Sequence, residues 1–141
     1  MLELNEVKEK MYELGDRVGI DRNSSLYPMF SSTSIVFGDG SSIYTYNSKY
    51  HYVIMERGNE IEHHVSKSLD DILYLVFSNI TFTLATNYEV KHRKDNQDFR
   101  RLLWAKQLEL LKNISINYYE IEKKEVDRIL KISPYRDQEL S

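Results

Sequence analysis

The clearest hairpin signal in this chain is Tyr50-His51-Tyr52-Val53-Ile54-Met55-Glu56-Arg57-Gly58-Asn59. Its first part is rich in aromatic and β-branched side chains, which favour a strand. Gly58-Asn59 is a two-residue loop of the kind that type I′ and II′ turns require, and a second strand-like run follows over residues 60–66. The stretch therefore predicts an antiparallel hairpin that turns at Gly58 and Asn59.

Counting outward from this turn predicts the register of the hairpin. Arg57 is expected opposite Glu60 and Glu56 opposite Ile61, because cross-strand partners step symmetrically away from a two-residue loop. Since side chains alternate between the two faces of a sheet, one face is predicted to carry Tyr52, Ile54, Glu56, Ile61, His63 and Val65. The other face is predicted to carry His51, Val53, Met55, Arg57, Glu60, Glu62 and His64. The first face is the more apolar and is expected to meet the helices.

The remaining elements follow from hydrophobic periodicity and turn residues. Helices are predicted over residues 2–18, 69–88, 97–119 and 123–132, short strands over residues 35–37 and 43–46, and a turn at Asn47-Ser48. This order predicts an α+β fold with an N-terminal helix and a small antiparallel β-meander of three to four strands. Two long helices and a short C-terminal helix are then expected to pack on one face of the sheet. A single domain over residues 1–141 is expected.

Composition excludes several classes of protein. The 141 residues are 41% hydrophobic and 29% charged, which is typical of a globular domain. Because the chain has no cysteine, disulfide scaffolds and thiolate metal sites are excluded. Its start is acidic and no apolar stretch reaches membrane-spanning length, so we expect a cytoplasmic protein without a membrane partner. The net charge of −3 disfavours nucleic acid as the partner of the whole chain.

Glu56 is unusual because the predicted register places it on the face expected to be buried. A buried carboxylate needs a charged or hydrogen-bonding partner, since an unpaired charge is costly in a low dielectric. We therefore expect a polar cluster that ties the sheet to the helices, formed by Glu56, Tyr88, Glu89, Arg93, Arg100 and Arg101. Structural pairing is the favoured interpretation. The alternative is a small carboxylate-based enzyme that uses Glu56 and Glu89, which the arginines disfavour because they would keep both acids ionised.

Metal and nucleic-acid ligands are both disfavoured by the arrangement of the candidate residues. Adjacent residues of a strand point to opposite faces, so His63 and His64 do not converge on one metal, and no His-Glu-x-x-His pattern is present. A basic patch over residues 91–106 is the alternative basis for a nucleic-acid-binding module. Aromatic residues are not interleaved with these basic residues, and a charge run at a helix junction is more often solvated. No metal, cofactor or nucleic acid is therefore expected.

Several short features of the chain occur together in an order that resembles a known family. They are Glu56-Arg57-Gly58 after a tyrosine-rich strand, Leu69-Asp70-Asp71-Ile72-Leu73-Tyr74, Tyr88-Glu89, Arg93, Asp98, Arg100-Arg101, Gln107, Pro134 and Asp137. Together they span roughly residues 35 to 137 and resemble the family sixty-three immunity proteins of bacterial polymorphic toxin systems. The resemblance implies a cytoplasmic antitoxin that binds a cognate toxin domain and blocks it, with no catalysis of its own.

A toxin-binding antidote needs a recognition surface. Tyrosine is enriched at such surfaces because it offers a large contact area with few rotatable bonds, and the chain has eleven tyrosines. Cross-strand aromatic packing on a small sheet is the equal alternative for the tyrosines of the meander. We expect docking on the outer sheet face and the hairpin tip, formed by Tyr44, Tyr46, His51, Arg57, Glu60, Glu62 and His64. Charge complementarity at these residues would speed capture of the toxin.

Overall fold

A computed structural model describes residues 1–33 and 38–138 of the chain. Its elements are α1 (Leu4–Asp16), β1 (Met29–Phe30), β2 (Gly40–Tyr46), β3 (Lys49–Glu56), β4 (Asn59–Ser66), α2 (Leu69–Lys91), α3 (Phe99–Ile114) and α4 (Ile116–Ile132). The α+β prediction is confirmed, with an N-terminal helix, a strand meander and then helices. The strand predicted at residues 35–37 lies outside the described residues.

The chain divides into two units, Met1–Val76 and Phe77–Ser141, and α2 begins in the first and continues into the second. The single domain expected over residues 1–141 stays a prediction. In the first unit the four strands form one sheet in the order β1-β2-β3-β4. The sheet is mixed rather than purely antiparallel, because β1 pairs parallel to β2.

Helix α1 forms because its apolar residues recur one turn apart. Val7, Met11 and Gly15 are buried on this stripe. The hydroxyl of Tyr50, on β3, accepts a hydrogen bond of 2.9 Å from the backbone N–H of Leu2, just before the helix. Gly15 is required for packing, since a Cβ at this position would lie 1.6 Å from the Tyr27 hydroxyl oxygen.

The two hairpins of the meander turn through two-residue loops with positive φ. The loop between β2 and β3 is Asn47-Ser48, with φ angles of 56° and 59°, as predicted. The loop between β3 and β4 is Arg57-Gly58, with φ angles of 52° and 78°, and Glu56 pairs with Asn59. The predicted Gly58-Asn59 loop is therefore wrong by one residue. Glycine occupies the second loop position, as in the common Asn-Gly type I′ pattern, and arginine accepts the left-handed conformation before it.

A β-bulge in β4 changes the register beyond this turn. Met55 pairs with Glu60, whereas Ile54 pairs with Glu62, so Ile61 is an extra residue with no position of its own in the ladder. The shift of the loop by one residue changes the partner of Glu56 from Ile61 to Asn59, which is a change of two residues along β4. Because side chains alternate with a period of two, this shift alone would leave the β4 side chains on their predicted faces. The extra residue Ile61 moves each later β4 side chain to the opposite face, so the predicted faces of β4 are wrong from Glu62 onward.

The second unit contains three helices, counting the continuation of α2. Ser115 has extended backbone angles and separates α3 from α4, and its side chain caps α4 by accepting from the N–H of Tyr118. The predicted long helix over residues 97–119 is therefore interrupted, and the C-terminal helix is 17 residues long rather than short. The Gln107 amide nitrogen, buried on α3, donates to the carbonyl of Ser78 at 3.1 Å and fixes α3 against α2.

Candidate functional site

The residues predicted to form a docking surface are not all accessible. Tyr44 and His51 are buried, with 5% and 8% of their surface exposed, so the expectation that they lie exposed on an outer sheet face is wrong. Both lie on the two inner strands of the sheet, where neighbouring side chains cover them. Tyr46, in contrast, is 57% exposed at the end of β2, and Arg57, Glu60 and Glu62 are exposed around the hairpin loop.

Tyr44 and His51 instead belong to a hydrogen-bonded network on one face of the sheet. His51 Nδ1 lies 2.8 Å from His63 Nε2, and the Tyr44 hydroxyl lies 3.3 Å from the same His63 nitrogen. The outer nitrogens are also engaged: His51 Nε2 is 3.1 Å from the carbonyl oxygen of Tyr46, and His63 Nδ1 is 2.8 Å from Glu60 Oε1. Tyr44 and His51 stack with ring centroids 4.7 Å apart. We call these residues, Tyr44, His51, Glu60 and His63, the histidine network.

The bulge at Ile61 is what assembles this network. Glu60 and His63 are three residues apart, and in a regular strand they would point to opposite faces. The extra residue puts both on the face of His51, while His64 moves to the other face, where it stacks on Tyr52 at 6.2 Å. Glu62 accompanies His64, with 3.6 Å between Glu62 Oε1 and His64 Nε2. The seven predicted docking residues therefore do not share one surface.

The exposed part of the hairpin has a simple composition. Ile61 is 52% exposed and lies between Glu60 and Glu62, while Arg57 occupies the loop next to them. An apolar side chain surrounded by charged ones is the usual arrangement of a recognition patch, with an apolar centre and a polar rim. We call this group, Arg57, Glu60, Ile61 and Glu62, the hairpin patch.

Glu56 does not have the buried position that was expected for the predicted polar cluster. Glu56 is exposed at the end of β3, opposite Asn59, so the prediction of a buried carboxylate is wrong. The error lies in the assumption that the apolar face continues to the strand end. The sheet face that carries Glu56 is covered only farther along the strand, at Tyr52 and Tyr50, which are 2% and 4% exposed.

The other members of that predicted cluster separate into two groups in the second unit. Glu89 is buried and pairs with Arg93 one turn later on α2, with 2.7 Å between Glu89 Oε1 and the guanidinium. The hydrogen bonds from Arg93 lower the pKa of Glu89. The rings of Tyr88 and His92 stack with their centres 4.1 Å apart, and the Lys106 ammonium lies 4.8 Å from the centre of the Tyr88 ring. Arg100 and Arg101 pair elsewhere.

Asp98 is the centre of the second group. Its carboxylate caps α3 by accepting from the N–H of Arg100 at 3.0 Å, pairs with the Arg100 guanidinium at 2.8 Å, and accepts from the N–H of Arg136 at 2.8 Å. The Arg100 guanidinium and these two backbone groups hold the pKa of Asp98 well below its ordinary value, against the effect of burial. In the sequence, Asp98 stood out as one of the features that resemble a known family.

The C-terminal tail completes the Asp98 group. Arg100 donates to the carbonyl oxygens of Ser133 and Pro134, each at 3.0 Å. Asp137 accepts from the N–H of Asp98 at 2.8 Å and pairs with Arg101 at 3.0 Å. Hydrogen bonds and ion pairs thus fasten the C-terminal tail to the start of α3. Arg100 and Arg101, which belong to the predicted basic patch over residues 91–106, are paired with the carboxylates of Asp98 and Asp137.

These geometries favour structure over catalysis. A cavity of about 450 Å³ lies beside Asp98. The pKa values of the Asp98 and Glu89 carboxyl groups are both lowered, whereas a carboxyl group that acts as a general acid at neutral pH needs a raised pKa. Within residues 1–33 and 38–138, no group of three or more His, Asp or Glu side chains is placed to hold a metal ion. No helix in the described part of the chain is long and apolar enough to cross a membrane.

Comparison with known families gives a match. A family model described as Immunity protein 63 matches residues 46–128, which is more than half of the chain. The chain belongs to the Immunity protein 63 family. The match covers the β3–β4 hairpin, α2, α3 and most of α4. Comparisons with curated proteins and with solved structures found no match.

The features through which the chain resembles the Immunity protein 63 family have structural roles. Arg57-Gly58 forms the hairpin loop, Glu89 and Arg93 pair on α2, Asp98 caps α3, and Gln107 joins α3 to α2. These contacts set the hairpin turn, the start of α3 and the packing of α3 against α2.

Proposed function

We propose that this chain is a cytoplasmic immunity protein that binds a cognate bacterial polymorphic toxin domain and neutralises it by stoichiometric association, without catalysis of its own. Membership of the Immunity protein 63 family is the observation that carries the proposal. The lowered pKa values of Glu89 and Asp98 support it, because neither group is suited to donate a proton at neutral pH.

The hairpin patch is the surface that we propose for docking. Its centre, Ile61, is an exposed apolar side chain on the outermost strand, and its rim carries the charges of Arg57, Glu60 and Glu62. Charged rims steer a partner of complementary charge and suppress wrong partners. A stable complex needs roughly 800 Å² from each partner, so the patch would be the centre of a larger contact.

The bulge also limits how a toxin would bind. An outermost strand with free backbone groups invites pairing with another chain, and a bulge together with charged side chains opposes this. Recognition of β4 is therefore proposed to use side chains rather than the addition of a strand.

Co-expression with the toxin domain encoded beside this protein tests the proposed function. We expect cells that express both to survive and the two chains to co-purify, whereas cells that express the toxin alone die. The matched control is a toxin domain of another system of the same family. Death of cells that contain ample folded immunity protein together with its neighbouring toxin would contradict the proposal.

A further inference from the structure

The contact between His51 and His63 needs one more hydrogen than two neutral imidazole rings carry. His51 Nε2 faces the carbonyl oxygen of Tyr46, which only accepts, so this nitrogen carries a hydrogen. His63 Nδ1 faces the carboxylate of Glu60 at 2.8 Å and carries a hydrogen for the same reason. A neutral imidazole has only one N–H. In neutral rings the two remaining nitrogens would therefore both be bare acceptors.

Those two nitrogens are the ones that meet. His51 Nδ1 and His63 Nε2 are 2.8 Å apart, which is a hydrogen-bonding distance that two lone pairs do not adopt. The Tyr44 hydroxyl, 3.3 Å from His63 Nε2, supplies at most one donor to one of them and leaves the other facing a lone pair. One extra proton between the rings removes the conflict.

We propose that His51 and His63 bind one proton as a pair, so that the histidine network is complete only when it carries a single imidazolium charge. Glu60 supplies the opposite charge on the His63 side. In the described part of the first unit, the other titratable groups that face the pair are Tyr44 and Tyr46 on β2 and the exposed Lys49, which shares the face of His51 on β3. Burial and the negative charge of Glu60 raise the pKa of Tyr44, and the ring centre of Tyr46 lies 6.0 Å from that of His51.

A proton held in this way makes stability depend on pH in two directions. Histidine in an unfolded chain titrates at about pH 6.5. Above this pH the unfolded chain holds almost no proton on the two residues while the folded chain holds one, so stability falls as pH rises. Well below it the unfolded chain holds two protons and the bridged pair one, so stability falls as pH falls. The network therefore contributes most near the pH at which one proton is bound.

A metal ion is the rival occupant of the same space. Zinc binds imidazole nitrogen at about 2.0–2.1 Å, so two ligands in tetrahedral geometry lie about 3.3 Å apart. The observed 2.8 Å is shorter and suits a shared proton. An outer acceptor would orient each ring in the same way whether a proton or a metal ion lies between the rings. Only a measurement that detects the proton therefore distinguishes a shared proton from a bound metal ion.

NMR spectroscopy of the ¹⁵N-labelled full chain, free of added metal, is the direct test. We expect a through-hydrogen-bond nitrogen–nitrogen coupling between His51 Nδ1 and His63 Nε2 near neutral pH, and a single strongly deshielded bridging proton. Two neutral rings with no coupling would overturn the proposal. So would a stoichiometric Zn²⁺ complex at micromolar metal that forms without releasing a proton from the pair.

A variant separates the proton from the hydrogen bond. Glutamine carries a neutral N–H₂ donor near the position of a histidine Nε2, so His63→Gln is expected to keep the bond to His51 without an added proton. Its urea midpoint should change less than that of the wild type between pH 6.5 and pH 8.5. His64→Gln is the matched control on the opposite face. It removes the 3.6 Å contact with Glu62, so its pH profile should differ from the wild type less than that of His63→Gln does. Identical profiles for all three proteins would contradict a shared proton.

Discussion

Removing the carboxylate of Asp98 should unfold the second unit at much lower denaturant concentration. Asp98→Ala deletes a helix N-cap, worth about 1 kcal/mol, and the partner of an Arg100 guanidinium whose side chain is only 18% exposed. Leaving a fully buried charge unpaired costs about 3–5 kcal/mol. Because Arg100 is partly exposed and keeps its bonds to two tail carbonyls, we take about 2 kcal/mol for this term. The expected total loss is about 3 kcal/mol.

Urea denaturation followed by circular dichroism measures this loss. The control is Asp127→Ala, which removes an exposed ion pair with Lys123 on α4 and should cost less than about 1 kcal/mol. Because the folded pKa of Asp98 is lowered, its contribution is complete above the unfolded value of about pH 3.9 and is lost as pH falls toward the folded value. The difference between Asp98→Ala and the wild type should therefore shrink below about pH 4.

Two results would refute this reasoning. The first is a stability loss for Asp98→Ala no larger than that of Asp127→Ala, which would mean that the bonds to the tail are not formed in solution. The second is a difference between Asp98→Ala and the wild type that is unchanged at pH 3, because the carboxylate would then not be the group that stabilises the fold.

Three further substitutions test the hairpin and the first unit. Gly15→Ala places a Cβ against the Tyr27 hydroxyl and should lower stability by about 2 kcal/mol, and an unchanged thermal midpoint would contradict the packing. Arg57→Asn suits the left-handed loop position better and should raise stability by about 0.5–1 kcal/mol in urea titration; a loss would argue against the observed loop. Glu62→Lys should weaken toxin binding at least tenfold by calorimetry, while Glu120→Lys, an equal charge change on exposed α4, should not; equal affinities would exclude the hairpin patch.

The fold class was predictable because local signals agree with one another along most of the chain. The hydrophobic periodicity of α1 and that of α2 each predict a helix that exists. The break at Ser115 was missed, because apolar residues continue through it into α4. Only the cap geometry of that serine separates the two helices.

The β3–β4 hairpin was only partly predictable from the sequence. Its position was predictable from Gly58, but the bulge at Ile61 has no signal in the sequence, since no glycine or proline marks it. That single extra residue reassigns every side chain of the outer part of β4. The prediction that His64 shares a face with His51 failed for this reason, and His63 took that place.

The candidate site was predictable only in part, because its contacts are long-range. The pairing of Glu89 with Arg93 follows from their spacing on one helix. The bonds from Arg100 and Asp98 to the tail join residues more than thirty positions apart, and the sequence supplies no register for them. Glu56 was placed in the core by extending a face beyond the part that other residues cover.

The proposed antitoxin function is tested most directly by titration calorimetry with the candidate toxin domain, together with a toxin activity assay on the same samples. This measurement distinguishes the proposed antitoxin from a carboxylate-based enzyme or a nucleic-acid-binding module. We predict one toxin domain bound per immunity protein and loss of toxin activity that is complete at equivalence. A toxin that retains its activity in the presence of excess folded immunity protein, or a titration without heat of binding, would contradict the assignment.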